Sequence, residues 1–451
     1  MKVPVKHSTE MDPVVFRTRL MDMADPVHPP TPLEEIKFSG LPMTGFIFGS
    51  IFMLTLFFGR VLSILAYFFL PFMSALVVSL AWLAINQFLN DIPKQDSGLI
   101  SANPPNRVQS TILEALSPFL KYQPPWWCLD NHHTTILPVL IFRPLPSISA
   151  RQRFAGDDAA PLWLDWRIPV KPIKGIILAI PGLNGSSKGG YVVDLMNRAA
   201  EAGLAVAVLK GRGAGRTGVV SIESSFHLGR HGDLMHALVA IESIIVDTNL
   251  PVYMVGYSAG AIRAVNFAGV YGDAIKGRIR GIVSLGGLLK NEKTTSSRMS
   301  RFAYQPVIVH AFASTMYSKF VPHLKGETEE HFVHRIFHET YYTSFVQYDR
   351  AITSRLHNLT VNEYHDMSFV KHEDKWKNIA VPTLIVHARD DPVVHVDDAI
   401  VPEIAHNNSF VTYLVTEKGG HIGWPIGLSQ SEHGYKWMSD VVLTYISALG
   451  L

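Results

Sequence analysis

The chain has 451 residues, with 40 Lys and Arg against 38 Asp and Glu, for a formal net charge of +2. No basic stripe or charged block stands out, so nucleic acid is not indicated as a partner. A single cysteine, Cys128, excludes an intrachain disulfide framework and any multi-cysteine metal site. Charged residues are only 17% of the chain and the mean hydropathy is positive. That balance is apolar for a soluble protein, and its source is local.

Residues 1–44 form a mostly polar N-terminal segment. From Gly45 to Ile85 the only charged residue is Arg60. About 20 apolar residues are enough to cross the hydrocarbon core. The stretch 45–90 is therefore expected to be a membrane anchor, as one long span or as a hairpin turning at Gly59 and Arg60. It is too long and starts too late for a signal peptide, and its length also argues against a buried core helix. Glu34, Glu35 and Lys37 before it balance Asp91, Lys94 and Asp96 after it, so orientation is not fixed. Glycosylation sequons at Asn184, Asn358 and Asn407 do not fix it either.

Residues 91–125, polar and Pro-rich, read as a linker, and residues 126–451 read as one folded domain. "TTILPVLIFR" and "PLWLDWRI" look like antiparallel edge strands. From Lys174 onward, apolar runs alternate with helical patterns. "KGIILAIPG", "GLAVAVLKG", "PVYMVGYS", "RGIVSLGG", "VPTLIVHARDD" and "SFVTYLVTEKGG" are strands, and 191–202, 227–246 and 259–269 are helices. Fully apolar strands alternating with helices predict a mostly parallel, doubly wound α/β sheet covered on both faces. The alternation stops over about 289–380, a helical, aromatic and His-rich stretch expected to be a cap inserted over the strand ends.

The third strand of that series runs into Gly-Tyr-Ser-Ala-Gly, 256–260, and a helix runs out. A sharp strand-to-helix turn there would expose Ser258 as a nucleophile. A hydroxyl is weak until a base takes its proton, and the usual base is a histidine held by a carboxylate. Asp390 and Asp391 close the next-to-last strand, and His421 lies in the Gly-rich loop after the last one. Asp391 is favoured because, directly before a proline, it sits at the strand's exit. The Pro181–Leu183 turn can aim the backbone N–H of Leu183 at a developing oxyanion, with the N–H of Ala259 as second donor. This chemistry calls for no cofactor and no metal.

Other features have plainer readings. "GRGAGRTG", 211–218, is a loop bordering the pocket, fixed by Arg212, rather than a dinucleotide loop: no helix opens in it and no suitable acid follows. His331, His334 and His338 have helical spacing, and two could share a metal. Histidines satisfied by partners or solvent on a cap helix are the simpler expectation. Tyr341, Tyr342, Phe345 and Tyr348 pack the cap or line an acyl channel.

Taken together, "WWCLDNHHTTILP", "DDAAPLWLDW", "PGLNGSS", "KGRGAGRTG", "GYSAG", "DDPVV" and "GGHIGWP" cover about Pro124 to the C-terminus. In order and content they resemble the YheT-like branch of the α/β-hydrolases, whose eukaryotic members are N-terminally membrane-anchored lipases and esterases. The resemblance implies the α/β-hydrolase fold with Ser258 as nucleophile, Asp391 as acid and His421 as base. It implies a membrane-anchored serine hydrolase acting on carboxylic esters, with lipid or phospholipid acyl esters as expected substrates. The expected location is a membrane, the endoplasmic reticulum or another endomembrane. Two positions depart from the family pattern: Ile180 stands where histidine is usual, and His132 where glycine is usual. A peptidase or acyltransferase on the same fold, or a catalytically silent binding protein, are the alternatives.

Overall fold

The computed structural model describes residues 9–23, isolated positions between 77 and 85, and residues 95–142, 148–213, 224–320, 344–427 and 434–450. Apart from those isolated positions, the expected anchor lies outside the described residues. So do residues 214–218, His331, His334, His338, Tyr341 and Tyr342. Among the described residues no helix is long and apolar enough to cross a membrane.

Among the described residues, nine strands form one sheet: β1 (Gly98–Ile100), β2 (Ala150–Ala155), β3 (Pro161–Arg167), β4 (Gly175–Ile180), β5 (Leu204–Leu209), β6 (Val252–Tyr257), β7 (Gly281–Leu285), β8 (Thr383–Ala388) and β9 (Val411–Thr416). Their order is β1-β9-β8-β7-β6-β4-β5-β3-β2. β4 to β9 pair in parallel, and β1, β2 and β3 run antiparallel at the two edges. The parallel strands are apolar at nearly every position because both faces are covered. Along β4, Ile176, Leu178 and Ile180 enter one core layer, and Ile177 and Ala179 the other.

The first layer is closed by helices α1 (Pro13–Met23), α5 (Gly232–Glu242) and α6 (Ala259–Tyr271). The second is closed by α2 (Arg107–Leu116), α4 (Gly190–Glu201) and α9 (Lys436–Ala448). Between β7 and β8 lie α7 (Gln305–Phe320) and α8 (Val361–Ser368), with shorter turns around them. Val309, Phe312, Met316, Tyr348 and Ile352 make a separate cap cluster, against which Leu183, Phe226 and Phe345 pack. The cap is shorter than 289–380, because Leu289 at one end and Phe369, Val370, Trp376 and Ile379 at the other belong to the main core.

Two expectations are corrected. "TTILPVLIFR" contributes no strand: α3 spans Asn131–Ile141. The Asp130 side chain caps it by accepting the N–H of His132 and His133, and the Thr134 and Thr135 hydroxyls donate to Asn131 O. That capping outweighs the strand preference of its β-branched residues, and the outermost strand is β2 instead. Residues 91–125 are not simply a linker. β1 adds to β9 with Leu99 opposite Leu414. α2 begins in a capping box between Asn106 and Gln109, and buries Ile112 and Leu116. The polar N-terminal segment packs on the same sheet: Met11 bridges Ile173, and α1 buries Phe16 and Leu20 completely. The Phe16 ring meets Trp166 edge-on at 5.2 Å.

Candidate active site

The turn between β6 and α6 holds Ser258 at φ +50°, ψ −116°, a conformation costing on the order of 1–3 kcal/mol for a residue with a side chain. The flanking glycines permit it. A Cβ on Gly256 would lie 2.3 Å from Gly260 O, and one on Gly260 would lie 2.0 Å from Ile180 O. The backbones of β6, α6 and the turn after β4 thus meet at distances only glycine allows. The Ser258 N–H donates to Leu285 O at 2.9 Å, and its side chain makes no capping bond to α6. The hydroxyl is left for another partner.

That partner is His421. Its Nε2 lies 2.9 Å from Ser258 Oγ, and its Nδ1 lies 2.8 Å from Asp391 Oδ2. Of the two adjacent aspartates, the structure brings Asp391 against the histidine. Asp391 Oδ1 accepts the N–H of Val393 and Val394 at 2.8 and 2.9 Å. Burial alone would raise the Asp391 pKa, but the His421 charge and these hydrogen bonds outweigh it, and the carboxyl sits below its ordinary value. His387, from β8, lies 3.6 Å from the same Oδ2. Asp390 does a different job: its Oδ1 accepts the Gly420 N–H at 2.9 Å, and burial pushes its pKa up to about 7.

All these groups sit at the carboxyl ends of parallel strands, where open α/β sheets place their sites. The turn after β4 closes the other side. A Cβ on Gly182 would lie 3.3 Å from Ser258 Cβ, and the Gly182 N–H is taken by Tyr191 Oη at 3.1 Å. The N–H groups of Leu183 and Ala259 donate to no acceptor among the described residues. Both belong to the two backbone segments that border Ser258. The N-terminus of α6 adds its partial positive charge there. Beyond the turn is a small, open cleft lined by Gly182, Leu183, Arg212, Phe226, Arg263 and Phe312 among others. Arg212 fixes one wall through hydrogen bonds to Asp157, Asp158, Asp233 and Ser224 O, all between 2.7 and 2.9 Å.

Several supporting residues escape a reading of the motifs. The His421 N–H donates to Thr135 Oγ1 at 2.9 Å, and Asn131 Nδ2 donates to Asp390 O at 2.7 Å. Helix α3 therefore holds both loops of the site. "DNHHTT" carries a signal for the helix, an aspartate in N-cap position, but none for these contacts. His132, the departure from glycine, is buried, with Nδ1 2.7 Å from Tyr304 Oη and its ring stacked on the tyrosine. Burial pushes its pKa down to about 4. It ties α3 to the base of the cap. Ile180 simply fills the core at the end of β4. Among the described residues no group of His, Cys, Asp and Glu is arranged to hold a metal ion.

The family model described as "Serine aminopeptidase, S33" (Hydrolase_4) matches residues 171–414. Phospholipase ABHD3 of Bos taurus is 22% identical over 343 residues, spanning 73% of this chain and 78% of that protein. Monoacylglycerol lipase ABHD2 of Danio rerio is 31% identical over 109 residues, 24% of this chain and 25% of its own length. YheT of Escherichia coli (strain K12) is 32% identical over 108 residues, 23% of this chain and 30% of that one. The matched span takes in β4 to β8, Ser258 and Asp391. The chain belongs to the serine aminopeptidase S33 family and is an α/β-hydrolase of the YheT and ABHD type.

Proposed function

We propose that this chain is a serine hydrolase that cleaves lipid acyl esters through Ser258, His421 and Asp391, and that the stretch 45–90 anchors it in a membrane. The observation that carries the reading is the hydrogen-bonded file from Asp391 through His421 to Ser258, at 2.8 and 2.9 Å, on a strained strand-to-helix turn. His421 Nε2 takes the hydroxyl proton as Ser258 Oγ attacks the ester carbonyl. The tetrahedral oxyanion is met by the N–H groups of Leu183 and Ala259, a contribution of about 3 kcal/mol per donor. The alcohol leaves with the proton from His421, and Ser258 keeps the acyl group. Water, deprotonated by His421, then releases the acid. Asp391 stays ionised and holds the ring.

An ester is favoured over a peptide amine end. An aminopeptidase needs a carboxylate to hold the free ammonium of its substrate, and among the described residues that line the cleft beside the turn there are cations but no carboxylate. The relatives named as phospholipase and monoacylglycerol lipase support lipid as the acyl source. The test is release of fatty acid from a monoacylglycerol and a diacyl phospholipid, beside an aminoacyl naphthylamide, by the full chain in detergent. Ester turnover that vanishes in Ser258→Ala supports the reading. Amide turnover without ester turnover overturns it.

A further inference from the structure

Among the described residues, Arg263 is a buried cation bonded to no carboxylate. It lies on α6, five positions after Ser258, and is 4% exposed. Its Nη2 donates to Arg230 O at 3.2 Å, and its guanidinium carbon stands 5.4 Å from the Phe226 ring centroid. Its Nε has no hydrogen-bond partner. The nearest carboxylates are committed elsewhere: Asp157 and Asp158 bind both Arg212 and Arg230, and Asp233 binds Arg212. Burial holds the Arg263 pKa below its ordinary value. A guanidinium presents five N–H donors and stays charged inside proteins, so burying it against one carbonyl and one ring leaves most of its binding capacity unused.

The unused capacity is next to the reaction. Arg263 lines the cleft that Gly182 and Leu183 also line, and Gly182 abuts Ser258. Five residues of helix rise about 7.5 Å along its axis, comparable with the six bonds that separate an ester carbonyl carbon from a phosphorus at the other end of a glycerol unit. The apolar side chains of Leu183, Leu209, Phe226, Phe312 and Met316 form much of the rest of the wall, with the polar Asn184 among them. They exclude water and strengthen any charge pairing made there.

We infer that Arg263 binds an anionic group carried by the ester substrate, a phosphodiester or a carboxylate, while the ester carbonyl lies at Ser258. This rests on the reading of Ser258 as nucleophile. The planar guanidinium suits the paired oxygens of either anion. Phe226 packs against it, and Arg212, already saturated, lines the same cleft.

The test uses the full chain in detergent and three esters of one acyl length: dibutanoylglycerol, its methyl phosphodiester, and its hemisuccinate. The wild-type enzyme should favour at least one anionic ester. Arg263→Gln should lower the anionic-to-neutral ratio of kcat/KM about tenfold or more, and Arg263→Lys should keep part of it. An effect on the phosphodiester alone identifies phosphate as the group read, and an effect on the hemisuccinate alone identifies a carboxylate. A ratio unchanged for both esters overturns the inference. A second measurement is independent of turnover: calorimetric binding of glycerol 2-phosphate and of succinate to Ser258→Ala, with and without Arg263→Gln. Binding of either that is lost with Arg263 supports the subsite even if no ester is hydrolysed, which would locate the failure in the reading of Ser258. Binding of neither, or equal binding by both proteins, overturns the subsite.

Discussion

Asp390 and Asp391 are neighbours in sequence and opposites in environment. Asp391 faces His421 and two backbone N–H groups and is held ionised, whereas Asp390 is buried against the Gly420 N–H and its pKa is raised to about 7. Asp391→Asn should cost about 10³–10⁴-fold in kcat, because the imidazole loses its orientation and its counter-charge. Asp390→Asn keeps an oxygen for Gly420 and should stay within about tenfold of wild type. Steady-state turnover of one soluble ester checks both, and a reversed pattern contradicts the assignment. The stability of the two proteins should also diverge with pH. A carboxyl with a folded pKa above its unfolded value holds its proton more tightly when folded, so its contribution is present at low pH and lost as pH rises from about 4 to 7. Thermal melts should therefore show Asp390→Asn gaining on wild type between pH 5 and pH 8. Chain order and strand ends made Ser258, Asp391 and His421 legible in the sequence. Thr135 and Asn131 were not, because their contacts to 421 and 390 cross more than 250 residues of chain and no local pattern encodes such a pairing.

At the scale of the element, α1 carries the most testable consequence. Phe16 is fully buried against Trp166, while Val14 on the same helix is 70% exposed. Phe16→Ala should destabilise the fold by about 3–5 kcal/mol, and Val14→Ala should change it by less than about 0.5 kcal/mol. Denaturant titration separates them, and equal effects would mean that α1 does not pack on the sheet. Only two residues, four apart, anchor this helix, too little apolar periodicity to stand out from a polar leader. The failure at α3 had another cause. Its threonines, isoleucines and valine favour a strand, and only the Asp130 cap and the contacts to the 421 loop decide for helix. The parallel strands were legible because both faces of each are apolar, and doubly covered strands have few alternatives. The short β1 was not: three residues pair at an edge, and their sequence carries no alternation.

For the whole molecule, buried titrating groups set the response to acid. Burial holds His132 and His231 at about 4 and His227 at about 2. A histidine whose folded pKa lies below its unfolded value stays neutral in the fold and protonates on unfolding, so its effect is to reduce stability as pH falls below about 6.5. Asp390 acts in the opposite direction with one proton. At pH 5 unfolding should thus take up about two protons from these four groups, readable by calorimetry in buffers of different ionisation enthalpy. Replacing His132, His227 and His231 with Asn should lower the uptake, and an unchanged uptake would contradict the burial of the histidines. The proposed anchor has its own test: the full chain should stay in the membrane pellet through alkaline carbonate, and release would contradict a spanning segment at 45–90. The most direct test of the central claim is a fluorophosphonate, which phosphonylates an activated serine with loss of fluoride. Mass spectrometry of the labelled full chain should place the phosphonate on Ser258, and labelling should disappear in Ser258→Ala and fall at least a hundredfold in His421→Ala. An unlabelled chain, or a label on another serine that persists in Ser258→Ala, would contradict a Ser258–His421–Asp391 hydrolase.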